Sequence, residues 1–251
     1  MLTIGVDLAA EAVRTAVAWL DWSAPGRARL VGVAAGADDG LIVEAVTGAD
    51  KAGIDCPLGW PDKFVDFVTA HRAGHVEVPE GVAGRTWRRD LAWRVTDQVV
   101  YARTGLTPLS VSADRIAHAT MRCAAVLAEL ARRGRPVDRR GDGAVVEVYP
   151  AACLKGWGLP HRGYKRAANL SELGRLVDRL LEAAPWLDLG EYDPICRASD
   201  DATDAVVSAL AARASALGLV TVPEPGQAGA AGTEGWIALP TTPLDRLVAA
   251  G

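Results

Sequence analysis

Five acidic side chains stand where apolar runs of this chain give way to turns or caps. Asp7 closes L-T-I-G-V-D, and Asp55 closes K-A-G-I-D just before C-P-L-G-W-P. Glu147 lies in G-A-V-V-E-V-Y ahead of Pro150, and Asp201 and Asp204 belong to S-D-D-A-T-D-A. Each has a plain structural role open to it. Asp7 and Asp55 fit as turn formers, because Asp bonds its own backbone. Asp200 fits as an N-cap, and Asp201 as a charge favoured at the positive end of a helix. Glu147 resists such a reading, since a carboxylate in an apolar strand needs a partner. Together they point to one chemistry. Carboxylates gathered at one place repel unless a divalent cation neutralises them. Oxygen donors favour Mg²⁺ or Mn²⁺, and two such ions about 3.5–4 Å apart can clamp both oxygens of an in-line phosphoryl displacement.

Other residues could assist. Residues 85–103, R-T-W-R-R-D-L-A-W-R-V-T-D-Q-V-V-Y-A-R, interleave Arg with Trp and Tyr. Guanidinium groups bind phosphate and aromatic rings stack on bases, so this stretch could grip a single strand or flipped nucleotide. An amphipathic helix with Trp87 and Trp93 in the core and a solvated Arg face accounts for it equally well. His71 and His75 are spaced to share a helical face as zinc ligands would, but no third ligand stands near them in the sequence. Cys56 beside Asp55 reads as a buried thiol, because no His is placed as its base. Arg132, Arg133, Arg135, Arg139 and Arg140 read as a solvated turn.

The elements that must carry these residues follow from hydrophobic pattern. Runs at 2–8, 13–20 and 28–34 predict three strands joined by short loops, and Asp38 and Asp39 open a helix through Thr47. The stretch ending at Asp55 is a fourth strand, expected to pair parallel to a central first strand. Residues 61–142 read as a mainly helical insertion, 143–149 as a fifth strand, 170–183 and 200–217 as helices. Residues 223–235 read as a loop and 236–239 as a short last strand. The β-β-β-α-β opening predicts a mixed sheet in one α/β domain spanning residues 1–251. Half of the 251 residues are hydrophobic, enough for a large core. A net charge of −4 argues against a generally basic nucleic-acid coat. Four cysteines without a C-x-x-C pair, no evident signal peptide and no membrane-length apolar run predict a cytoplasmic protein with reduced thiols.

The segments G-V-D, G-I-D-C-P-L-G, R-V-T-D, E-V-Y-P-A, G-Y-K, D-D-A-T-D-A-V-V-S-A and E-G-W-I, spread over nearly the whole chain, resemble a bacterial and archaeal family. It is known as domain of unknown function 429 and described as predicted nucleases of the RNase H fold. The resemblance implies an RNase H-like sheet in β-β-β-α-β-α-β-α order, with the helical insertion between the fourth and fifth strands. It puts Asp7, Asp55, Glu147, Asp201 and Asp204 at motif carboxylates. The broader superfamily uses acids on the first strand, the fourth strand and the last helix, which makes Asp7, Asp55, Asp201 and Asp204 the expected ligands of Mg²⁺ or Mn²⁺. Glu147 departs from that simplest pattern. Arg94, Thr96, Asp97, Tyr164 and Lys165 also fall in motifs and become expected substrate contacts. The expected activity is a two-metal phosphodiester hydrolase, a nuclease acting on DNA or RNA, with a non-catalytic nucleotide or nucleic-acid binding module on the same fold as the alternative. An actin- or hexokinase-type phosphotransferase needs Gly-rich phosphate loops after the first strand, and L-A-A-E-A-V-R-T supplies none.

Overall fold

The computed structural model describes residues 1–248. Its sheet is built from β1 (Leu2–Asp7), β2 (Ala16–Asp21), β3 (Ala28–Ala35), β4 (Lys51–Asp55), β5 (Val145–Glu147) and β6 (Leu187–Asp188). The strand order is β5-β4-β1-β2-β3-β6. The β1–β2 and β2–β3 pairs are antiparallel, whereas β1–β4, β4–β5 and β3–β6 are parallel. The mixed sheet therefore has β1 and β4 side by side, both flanked by other strands and running the same way.

The helices are α1 (Asp39–Gly48), α2 (Asp62–Arg72), α3 (Gly84–Ala92), α4 (Val95–Thr104), α5 (Ile116–Arg132), α6 (Pro150–Gly156), α7 (Leu170–Ala183), α8 (Asp193–Ala198), α9 (Asp200–Ala216) and α10 (Ala228–Glu234). Strand alternation sends the two faces of the sheet to different helices. Ile4, Val6, Ala52 and Ile54 pack with α1 and α5 in one core. Ala16, Ala18 and Leu20 pack with α7 and α9 in the other. α9 is Ala-rich and buried on nearly all sides, lying against the sheet. None of the described helices is long and apolar enough to cross a membrane.

Several boundaries differ from the hydrophobic pattern. Ala12–Arg14 form a 3₁₀ turn, so β2 starts only at Ala16. The last strand is a single parallel bridge, Ile237 against Glu147, and the loop before it contains α10. Helix α9 is capped by Ser199, whose hydroxyl accepts from the Ala202 amide at 3.2 Å, so Asp200 is the first helical residue and not the cap. α1 begins as expected, with Asp38 Oδ1 accepting from the Leu41 amide at 2.8 Å. The Arg/Trp stretch is two helices broken at Trp93–Arg94, and neither Trp87 nor Trp93 is fully buried.

Candidate functional site

The site begins with a three-residue pattern used twice. G-V-D ends β1 and G-I-D ends β4, and the two strands pair so that Gly5 lies beside Gly53 and Asp7 beside Asp55. Residues two apart in a strand share a face, so each glycine and its aspartate look toward α9. A side chain at either glycine would collide with that helix. A Cβ on Gly5 would stand 1.9 Å from the Ala205 carbonyl oxygen, and one on Gly53 would stand 2.3 Å from that of Ser208. The missing side chains let the α9 backbone lie directly on the sheet, and this brings Asp204 to the two strand ends. Carboxylate oxygens of Asp7, Asp55 and Asp204 all lie within 4.8 Å of one another.

Crowding and burial act together on these acids. Burial pushes the Asp7 carboxyl well up, and the charges of Asp204 and Asp55 add to the effect. Burial also pushes Asp55 up, to about 7, with Lys165 pulling back and Asp204 and Glu147 adding. Asp204 is raised by burial against the opposing pull of Lys165 and Tyr164. The Tyr164 hydroxyl donates to Asp204 Oδ1 at 2.7 Å, and Lys165 Nζ stands 2.5 Å from Asp204 Oδ2. The second contact is a close ion pair, so the Lys165 ammonium is the partner of this fully buried oxygen. Burial works against the Lys165 ammonium, but Asp204, Asp55 and Asp7 outweigh it and hold it charged.

Glu147 and Asp201, also expected at the site, have other partners. Glu147 receives both Arg94 terminal nitrogens, at 2.7 and 2.9 Å, and the Leu58 amide at 3.0 Å. Burial raises its pKa while Arg94 opposes the shift, and the paired geometry holds it as a carboxylate. Asp201 accepts from Arg14 Nη2 at 2.8 Å and stands outside the converging three. The structure thus brings together Asp7, Asp55 and Asp204 and leaves Asp201 and Glu147 as ion-paired neighbours.

Arg94 was expected to hold substrate phosphate, but its donors are already in use. Nε and Nη2 bond the Asp97 carboxylate at 3.2 and 2.9 Å, while Nη1 also reaches the Glu234 carbonyl at 3.1 Å. With the two bonds to Glu147, all five N–H groups of the guanidinium are engaged. Thr96 is likewise committed, its buried hydroxyl accepting from the Ile237 amide at 2.8 Å. Asp97 orients Arg94 and does not line the cleft, and Tyr164 is buried against Asp204. Among the five expected substrate contacts, Lys165 alone combines a place in the cleft with an exposed side chain, 51 % accessible. That cleft has a volume of about 670 Å³ and is lined by Asp7, Asp55 and Lys165 beneath apolar walls that include Leu8, Ile116 and Tyr149.

The remaining candidates resolve simply. His71 lies in the last turn of α2 and His75 beyond the turn at Gly74, so they share no helical face. Neither joins a metal-capable group among the described residues. Burial pushes the Cys56 thiol well up, away from the thiolate a nucleophile needs. Arg132 and Arg133 pair with Glu129 at the surface, whereas Arg135, Arg139 and Arg140 bond backbone carbonyls at 47, 233 and 228. Two contributors escaped sequence reasoning. Arg14 carries no motif signal. Glu234 does, in E-G-W-I, and its carboxylate accepts from the first amides of both α2 and α4, at 2.9 and 2.7 Å.

Fold and site together define a mixed α/β protein with a carboxylate centre at the ends of the adjacent parallel strands β1 and β4. The chain belongs to the family described as protein of unknown function (DUF429), which it matches over residues 5–228. That span contains all ten expected site residues and stops short of Glu234. No curated protein and no solved structure matches the chain.

Proposed function

We propose that this protein is a divalent-cation-dependent phosphodiester hydrolase, a nuclease on an RNase H-like fold, with nucleic acid or nucleotide as substrate. The observation that carries the reading is the convergence of Asp7, Asp55 and Asp204 within 4.8 Å, with Asp7 and Asp55 lining an open cleft and Asp204 buried behind them. Their places on the first strand, the fourth strand and the last long helix match the acid pattern that the family resemblance implies. The donor set fits Mg²⁺ or Mn²⁺, being all carboxylate oxygen.

Asp7, Asp55 and Asp204 would hold the cation. Bound there, it would supply a Lewis acid for a phosphoryl oxygen and lower the pKa of attacking water. The reaction adds water to phosphorus and breaks one P–O ester bond, leaving a phosphate monoester and an alcohol. Lys165 reaches the same cleft and supplies positive charge to phosphate. Arg94 engages both oxygens of Glu147, so this carboxylate is held away from the cation donors, although Arg94 is shared with Asp97 and the three groups together keep one negative charge. The test is hydrolysis of labelled single-stranded DNA, duplex DNA, RNA and dinucleotides with Mn²⁺ or with EDTA. Cleavage that needs the cation and is lost in Asp55→Asn supports the reading. Cation-dependent binding of these probes without turnover would favour the non-catalytic module instead.

A further inference from the structure

We infer that the cleft takes one unpaired nucleotide beside the phosphate to be cut, its base held against apolar walls, and that a paired duplex is excluded. The inference rests on the hydrolase reading above and names its substrate class. The walls carry it, and not the acids. Leu8, Pro108, Leu109, Ile116, Tyr149 and Ile237 line the same cleft as Asp7 and Asp55. Leu109 is 47 % exposed, an apolar side chain left uncovered at that cleft. Small-ligand sites are built this way, mostly apolar with a few polar groups that fix orientation. The volume of about 670 Å³ also falls within the roughly 300–1,000 Å³ of such pockets, which suits one nucleotide better than a groove that follows a strand.

The loop bearing Leu109 is fixed before any ligand arrives. Ser110 Oγ donates to the Ala92 carbonyl at 2.6 Å and accepts from the amides of Ser112 and Ala113 at 3.2 and 3.1 Å. Asp114 accepts from the Ser110 amide at 2.8 Å. Tyr149 is fixed independently. Its side chain packs on the small core of Val100, Leu106, Ala152, Ile237 and Leu239, and Pro150 opens α6 directly after it. Burial and the charge of Asp55 push its phenol up, which places the ring near the acids. An aromatic ring among aliphatic walls accepts the flat face of any base.

Charge limits the rest of the ligand. Among the cations at the cleft, Lys165 is paired with Asp204, Arg14 with Asp201, and Arg94 with Glu147 and Asp97. Arg115 and His118 are exposed there and form no ion pair among the described residues. Two such groups can meet one or two phosphates, whereas a strand gripped along its backbone needs a continuous basic track. Asp200 and Asp201 line the cleft as well and repel a long polyanion. A duplex keeps its base faces stacked and offers phosphates and groove edges, so the apolar walls would find no partner on it.

The experiment has two arms on the full chain with Mn²⁺. One is calorimetric binding of thymidine 5′-monophosphate and of its base-free counterpart, deoxyribose 5-phosphate. The other is cleavage of one labelled sequence as single strand and as blunt duplex, with EDTA as the blank. The monophosphate should bind at least about tenfold tighter than the base-free sugar, and the strand should be cut at least about tenfold faster than the duplex. Leu109→Asp, at an exposed position, should abolish the preference for the base and leave the melting temperature unchanged. Tyr149→Leu keeps an apolar side chain on the small core and should weaken the same preference. Equal binding of the two phosphates, or none, would overturn the inference. So would a base preference untouched in both folded variants, or a duplex cut as fast as the strand. In each of these cases Mn²⁺-dependent cleavage leaves the hydrolase reading standing. A base preference without Mn²⁺-dependent cleavage of either probe would remove the hydrolase reading and leave the pocket as that of a nucleotide-binding module.

Discussion

At the scale of single residues, the site is an arrangement of like charges that suits a cation. Asp7→Asn keeps the shape of the side chain and removes one of the three charges. Mn²⁺ affinity should fall by more than the roughly 10–100-fold that indirect partners of a ligand cost, because Asp7 is a direct donor. Melting temperature in EDTA should hold or rise, since the repulsion from Asp204 and Asp55 is relieved. A turn-forming role predicts lost stability with unchanged metal binding. Asp55 gives a pH signature. Its folded value of about 7 lies above the ordinary 3.8, so the folded state holds this proton more tightly than the unfolded chain. The resulting stability is full below the ordinary value and drains as pH rises through the folded one. Melts in EDTA should therefore fall more steeply across that window for the parent than for Asp55→Asn; parallel slopes would refute the shift. The acidic residue types were legible in the sequence, but their pairings were not. Nothing local marks Arg94 as the partner of a glutamate fifty-three positions away.

At the scale of elements, the glycines set how close α9 lies to the sheet. Gly53→Ala puts a methyl group 2.3 Å from the Ser208 carbonyl, backbone that cannot rotate away. The helix has to lift, at a cost toward the upper end of the roughly 1–3 kcal/mol typical of overpacking. Asp204 rides on the same helix, so Mn²⁺ affinity should fall together with stability. Gly174→Ala in α7 is the control: no neighbour lies within 4 Å of its Cβ position, and the change should stabilise by about 0.5–1 kcal/mol. Urea unfolding and calorimetry on both variants check this; Gly53→Ala with native affinity would mean that helix position and site are uncoupled. Apolar runs made β1, β3 and β4 readable, caps and helical spacing did the same for α1, α7 and α9, and the repeated G-x-D pattern was visible as well. Its meaning was hidden, because the surface that requires glycine comes from Ala205 and Ser208 on a helix far along the chain. α10 and the bridge at Ile237 were unreadable for a related reason. An Ala/Gly segment has no periodicity of its own, and the segment is held by Trp236 donating to the Arg139 carbonyl and Ala238 to that of Glu147.

At the scale of the molecule, residues 61–142 read from sequence as one insertion, and the structure divides them. α5 is a core layer, with Cys123, Val126 and Leu130 buried against the sheet beside α1. α4 is fastened by Arg94, which joins Asp97, Glu147 on β5 and the carbonyl of Glu234. α2 and α3 have no buried residue at all, and Phe67 packs edge-on against Trp87 near the surface. Amphipathic spacing cannot separate these cases, since it reports a preferred face and not whether anything covers it. The division predicts a gradient of stability. Amide exchange should be fast across 62–92 and slow across α5, because few buried contacts resist local opening in the first segment. Arg94→Leu probes the join between the two. It leaves two buried carboxylates without their cation, a change that costs about 3–5 kcal/mol when one partner of a buried pair is removed. Because Glu147 belongs to β5, the loss should appear in the global urea transition and in the exchange of β5 and α4 together. Were the loss confined to 62–104 while the sheet kept its protection, the network would be a local clasp on the insertion and not part of the core.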